Sequence, residues 1–179
     1  MKINGWIVGL LVLASGIALA ESALSAGALR QRIEECARFE HAQDRREALD
    51  ALKNGSGLSS DVWANMLFET ATNRGDRFIL NDVARYASTN QLQSLRAVFT
   101  NTTFNAAFRL AAFRVFSRVD GFGGRTVALI DEQAKKNETD DVISVRQLIL
   151  QVRSLVPSND VRRLSLEQDL RQKNEDLVR

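Results

Sequence analysis

Apolar residues recur along this chain at spacings of three and four, not two. Leu29, Ile33, Cys36 and Ala37 form one such stripe, and Ala48, Leu49 and Leu52 resume it beyond the polar run EHAQDRR. Residues three and four apart share a face of an α-helix. Two helices are therefore expected, with a break near 40–44, the second halted by the glycines of KNGSG. Ser59-Ser60-Asp61 then offers caps to a stripe of Val62, Trp63, Met66, Leu67 and Ala71, which Gly75 closes. Phe78, Ile79, Val83, Ala84 and Tyr86 predict a helix from Asp76 to the region of Ser88-Thr89-Asn90, and Leu92, Leu95, Val98 and Phe99 predict a short one. Thr102-Thr103 is expected to cap the next helix and Asp120-Gly121 to end it. After GFGG a helix is expected from about Thr126 to Lys136. Another follows, capped by Thr139-Asp140, with Val142, Val145, Leu148, Ile149 and Val152 inward. Pro157 stops it, because proline cannot continue a helix and disfavours helical backbone in the residue before it. Ser158-Asn159-Asp160 opens a polar C-terminal helix over 159–179. No run alternates strictly and no hairpin dipeptide joins two apolar runs. The expected fold class is all-α, with antiparallel helix pairs stacked as a short α-solenoid or an irregular helical bundle.

The stretch FNAAFRLAAFRVFSRVDG, residues 104–121, is the most demanding. Phe104, Phe108, Ala111, Ala112, Val115 and Val119 form one broad face, yet Leu110, Phe113 and Phe116 fall outside its centre. A helix that is apolar nearly all round must be covered on several sides. In a stack of helical hairpins an inner helix meets its own partner and both neighbouring hairpins, so neighbours on at least three sides are expected here.

A repeat points the same way. Phe108-Arg109 followed by Ala112-Phe113 and Val115 matches Val145-Arg146 followed by Ile149-Leu150 and Val152, at an offset of 37 residues. This apolar-basic pair, followed by small and apolar residues in helical register, resembles the second helix of HEAT or armadillo-type repeats. The resemblance covers about 91–156. Asp141 stands where the family often has an acidic turn residue, and Asn101 or Asn105 stands there in the first copy. Neither copy has the family's proline, and 60–90 does not align as a third copy. The resemblance implies a curved stack of helix pairs that binds other macromolecules.

The N-terminus adds a compartment. MKINGWIVGLLVLASGIALA places Lys2 before an apolar core from Ile7 to Ile17 and ends on Ala18-Leu19-Ala20, a small-x-small site. That is the anatomy of a secretory signal peptide. Cleavage is expected between Ala20 and Glu21, leaving 21–179 as one α-helical domain in the periplasm or outside the cell. The alternative is an uncleaved anchor on a structural component of an envelope assembly, since the segment approaches the shortest bilayer span. Lys2 is the one charged residue in this segment, so the remainder carries 23 Lys+Arg against 22 Asp+Glu. Such a balance argues against nucleic acid as a partner. The expected partner is a protein or peptide, with a membrane involved only if the N-terminal segment is retained.

Candidate chemistry is sparse, and each candidate has a plainer reading beside it. GFGGRT at 121–126 opens a helix and could cradle an anion beside Arg125, but it lacks the upstream strand and the Lys-Ser/Thr pair of a P-loop and reads instead as a glycine cap and flexible turn. His41 is the only histidine, and Cys36 lies five residues from it off the same helical face. A metal site needs three or four convergent ligands, so His41 reads as a surface residue and Cys36, at helical spacing from Leu29 and Ile33, as a buried one. Arg74-Gly75-Asp76 has the letters of an adhesion motif, and also those of a helix end followed by a cap. Asn54, Asn101 and Asn137 head Asn-x-Ser/Thr triplets in predicted turns. Arg114 and Arg118, four apart, suit an exposed face for an acidic partner, with Arg125 close by in sequence; alternatively their stems cover apolar surface. Arg109 is expected to reach an acidic residue in a turn. Neither a catalytic residue nor a cofactor is expected, and the protein reads as a non-enzyme.

The C-terminal segment yields a test. Its apolar stripe of Val161, Leu164, Leu166, Leu170 and Leu177 is thin, and Arg162, Arg163, Glu167, Asp169, Arg171, Lys173, Glu175, Asp176 and Arg179 are charged. A polar cap on a helical stack has this composition. Deletion from Asn159 onward is expected to lower the melting temperature or cause aggregation. Unchanged melting with a lost partner would instead make the segment a docking helix.

Overall fold

The computed structural model describes residues 25–134, 143–156 and the single position 168. The proposed signal segment, the Ala20–Glu21 junction, the expected caps at Thr139-Asp140, the stop at Pro157 and the C-terminal helix lie outside the described residues. The chain divides into two compact units, one ending at Ser59 and the other beginning at Ser60. Among the described residues all regular structure is helical.

The first unit holds α1 (Ala26–Cys36) and α2 (Ala42–Ser56), which pack against each other. Ser25 caps α1, its side chain accepting from the Ala28 N–H. The break falls at 37–41, within a few residues of the expected 40–44. Leu29, Ile33 and Cys36 are buried from α1, and Leu49 from α2. Arg45 is buried as well, inside a run that reads as wholly polar. The helix stops within KNGSG as expected, at the second of its two glycines: it runs through Asn54 and Gly55 to Ser56 and ends at Gly57, whose φ is 66°. Left-handed backbone at that position is what glycine permits without strain. Asn54 therefore sits in the last turn of a helix and not in the turn expected for it.

The second unit starts with α3 (Ser60–Arg74) and α4 (Arg77–Val83). Gly75, at φ 63°, donates to the Thr72 carbonyl, and the Asp76 N–H reaches back to Ala71. These two bonds are the Schellman closure of a helix. Asp76 then accepts from the N–H groups of Phe78 and Ile79, capping α4. Two expected inward residues are half exposed, Val62 at 48% and Phe78 at 48%; the guanidinium of Arg77 lies 4.9 Å from the Phe78 ring centroid. Helix α4 is shorter than expected. From Ala84 to Tyr86 the backbone turns to i→i−3 bonds onto Asn81, Asp82 and Val83, the tightening with which helices terminate. A 3₁₀ turn, Thr89–Gln91, follows, with Ser88 and Gln91 forming a capping box. Ser88 and Asn90 donate to the two carboxylate oxygens of Asp61, and buried Gln91 donates to Asn65, tying this turn to the start of α3.

Helix α5 (Leu92–Thr100) leads into α6 (Ala106–Val119), the helix of the phenylalanine-rich stretch. Its cap is Asn105, whose side chain accepts from the Phe108 N–H at 2.9 Å, not Thr102-Thr103. Thr103 instead donates its N–H and hydroxyl to Asn101, forming an Asx turn ahead of the helix. Then come α7 (Gly124–Ala134) and α8 (Val145–Leu155). Helix α8 begins behind Ser144, in a capping box with Gln147. Its end at Val156 has φ −93° and ψ 122°, the extended backbone that a following proline imposes.

Helix α6 lies against α4, α5 and α8, and also meets α7. The expected cover on at least three sides is present. Phe108, Ala111, Ala112, Phe113, Val115 and Phe116 are all buried, a face wider than half of the helix, whereas Leu110 and Arg114 are half-buried and Arg118 is exposed. Phe113 meets Phe99 of α5 at 5.3 Å between centroids, whereas Phe108 meets Phe104 at 5.0 Å. The two rings are thus enclosed by different neighbours. Truncating either Phe108 or Phe113 to alanine is expected to cost about 3–5 kcal/mol, read from chemical denaturation, each removing a different ring–ring contact.

Candidate functional site

The arginines around α6 are positioned by that burial. Arg109 follows Phe108 into the interior and is itself buried. Its Nε donates to the carbonyl oxygen of Phe99 at 2.9 Å. Phe99 is in the last turn of α5, where carbonyls have no intrahelical partner and the helix dipole is negative. A guanidinium there satisfies an orphan acceptor and complements the dipole at once.

Arg114 is half-buried. Its Nε and Nη2 both donate to Gln151 Oε1, at 3.1 and 2.6 Å, joining α6 to α8. Arg118 and Arg125 are exposed. They flank the α6–α7 turn, one in the last turn of α6 and the other in the first turn of α7. Of the three arginines expected to meet a partner, the structure commits Arg114 to an internal contact and leaves the side chains of Arg118 and Arg125 at the surface. The sequence spacing of Arg114 and Arg118 is correct for a shared face; the role of Arg114 depends on a residue 37 positions away.

The glycine-rich segment between them is a double cap. Gly121 donates to the Arg118 carbonyl and Phe122 to that of Ser117, the Schellman pattern at the end of α6. Asp120 then turns its carboxylate forward: Oδ2 accepts from both the N–H and the hydroxyl of Thr126, each at 2.8 Å. Thr126 is fully buried. The N-terminus of α7 thus has its own carboxylate in the place where an external anion was considered. Phe122 has φ 58°, left-handed backbone that a bulky residue adopts only under constraint from its surroundings.

His41 is exposed at the N-cap position of α2 and makes no side-chain cap bond. Asp76, the acidic residue of the Arg-Gly-Asp triplet, is engaged in capping α4. Among the described residues no group of three or more His, Cys, Asp or Glu is placed to hold a metal ion, and no helix is long and apolar enough to cross a membrane. No protein-family model, no curated protein and no solved structure matches the chain.

Cys36 is a buried free thiol. Burial, reinforced by the adjacent Glu35 carboxylate and opposed by Arg32, pushes its pKa from 9.0 up to about 11. The folded state then keeps its proton to higher pH than the unfolded chain. Its contribution to stability is complete below the ordinary thiol range and is lost as pH rises from about 9 through about 11. Denaturant titrations of the parent and of Cys36→Ala are expected to diverge in that window, with the parent falling faster. A thiol reagent at neutral pH should label Cys36 only in the unfolded chain.

Proposed function

We propose that the protein is an exported, non-catalytic helical module of the HEAT or armadillo type that binds a protein or peptide partner. One observation carries the repeat reading. The hairpins α5–α6 and α7–α8 are bonded to each other close to the repeat offset: Arg114 of α6 to Gln151 of α8, 37 residues apart, and Arg96 of α5 to Glu132 of α7 at 2.6 Å, 36 residues apart and so one position out of that register. Stacked copies of one unit bring equivalent residues side by side at a constant spacing. The packing of α4 on α6 and of α6 on α8 extends this order to α3–α4, although 60–90 does not align with the later copies by sequence.

Export rests on the first twenty residues, and the partner face on Arg118 and Arg125, two exposed cations at one turn. Guanidinium groups so placed favour an acidic partner segment, through charge-assisted and bidentate bonds to carboxylates. The second reading, an envelope component anchored by its uncleaved N-terminus, is favoured by the apolar core Ile7–Ile17. N-terminal sequencing of the native protein separates the two, since the first reading requires a chain beginning at Glu21.

Chemical cross-linking and affinity purification from the native envelope fraction tests the binding role. A specific protein is expected to be enriched with the parent. Replacing Arg118 and Arg125 by alanine should weaken its retention at least roughly tenfold, about 1.4 kcal/mol, with the helical circular-dichroism spectrum retained. Equal retention by the variant, or no enrichment over a control, would reject this partner face.

A further inference from the structure

We infer that the Asn54–Gly55 peptide is a site of spontaneous deamidation, by which the last turn of α2 ages and loosens. Both residues are exposed in that turn, three residues before the left-handed Gly57 ends the helix. The chemistry needs only water. The backbone nitrogen of Gly55 attacks Cγ of Asn54, forming a new N–C bond. The side-chain nitrogen departs as ammonia, carrying the proton lost by the peptide N–H, and a succinimide ring remains. Water opens that ring at either carbonyl, giving aspartate or isoaspartate. A following glycine favours attack because no Cβ shields its nitrogen and its backbone rotates freely. Asn4 is the only other asparagine followed by glycine, and it lies within the first twenty residues.

The helix opposes the reaction. Helical backbone holds the Gly55 nitrogen away from Cγ and engages its N–H in the i→i−4 ladder. Reaction therefore runs through opening of the last turn, the part of a helix that frays most readily. Ser56 controls that opening: its hydroxyl donates to the Lys53 carbonyl at 2.7 Å and accepts from the Leu58 N–H at 3.3 Å. Both products weaken the turn. A new carboxylate lies at the negative end of the helix dipole, and isoaspartate inserts an extra backbone carbon that the hydrogen-bond ladder does not accommodate.

The full chain, incubated in mildly alkaline buffer and mapped by mass spectrometry with separation of asparagine, aspartate and isoaspartate peptides, provides the test. Asn54 is expected to convert at least roughly tenfold faster than Asn73, Asn90 or Asn101, because the frayed end opens at little cost. Gly55→Ala, whose added Cβ meets no atom within 4 Å, should bring Asn54 down to the rate of the others. Ser56→Gly should raise the rate severalfold in the folded chain and leave it unchanged in urea. Conversion of Asn54 no faster than its exposed counterparts, or insensitive to Gly55→Ala, would overturn the site; equal rates for the parent and Ser56→Gly would overturn control by the helix end.

Discussion

A helix with phenylalanines on several faces has to be enclosed, and enclosing α6 constrains the arrangement of α4, α5 and α8 around it. Hydrophobic burial sets the scale of that demand, since each large side chain removed from water contributes about 1.5–3 kcal/mol. Burial of the helix also brings Arg109 inside, where an unpaired guanidinium would be costly. The Phe99 carbonyl meets it at the end of α5. The polar bond thus depends on the apolar packing, and it fixes the register of α5 against α6 more sharply than apolar contact alone, because a hydrogen bond tolerates little displacement.

The surface contacts between hairpins are of a different kind. Arg96–Glu132 is an exposed ion pair, and exposed pairs contribute little to stability. Its importance is geometric, since with Arg114–Gln151 it aligns successive hairpins at nearly the same sequence interval. In the stacked arrangement proposed above, helix ends and turns would line one rim, and the α6–α7 turn with Arg118 and Arg125 would belong to it. Capping by Asp120 and the left-handed pair Gly121–Phe122 secure this turn locally, which would limit the ordering cost of the binding proposed for it.

The α1–α2 unit relies on fewer elements. Its described core consists of Leu29, Ile33, Cys36 and Leu49, with Arg45 buried among otherwise exposed neighbours in sequence. A small core leaves helix ends to be secured by local bonds, and at the end of α2 the Ser56 hydroxyl and Gly57 perform that task. Local bonds of this type open more readily than core packing.

The periodicity of apolar residues by itself determined that the described chain is helical, where most helices lie, and that α6 must be covered on several sides. Gly75 and Asp76 were legible as an end and a cap because their chemistry acts within a few residues. The errors arose where local signals competed. Asn105 caps α6 although Thr102 and Thr103 stand nearby, and of the two glycines in KNGSG it is Gly57, with its left-handed backbone, that ends α2. What only the tertiary structure decided were contacts between residues far apart in sequence. Arg114 reads as a surface cation until Gln151 is placed beside it, the Phe99 carbonyl that receives Arg109 lies ten residues upstream on another helix, and Phe78 reads as core until its helix is oriented. Helical spacing specifies which residues share a face; which face meets which neighbour is set by packing the whole, and no local pattern encodes it.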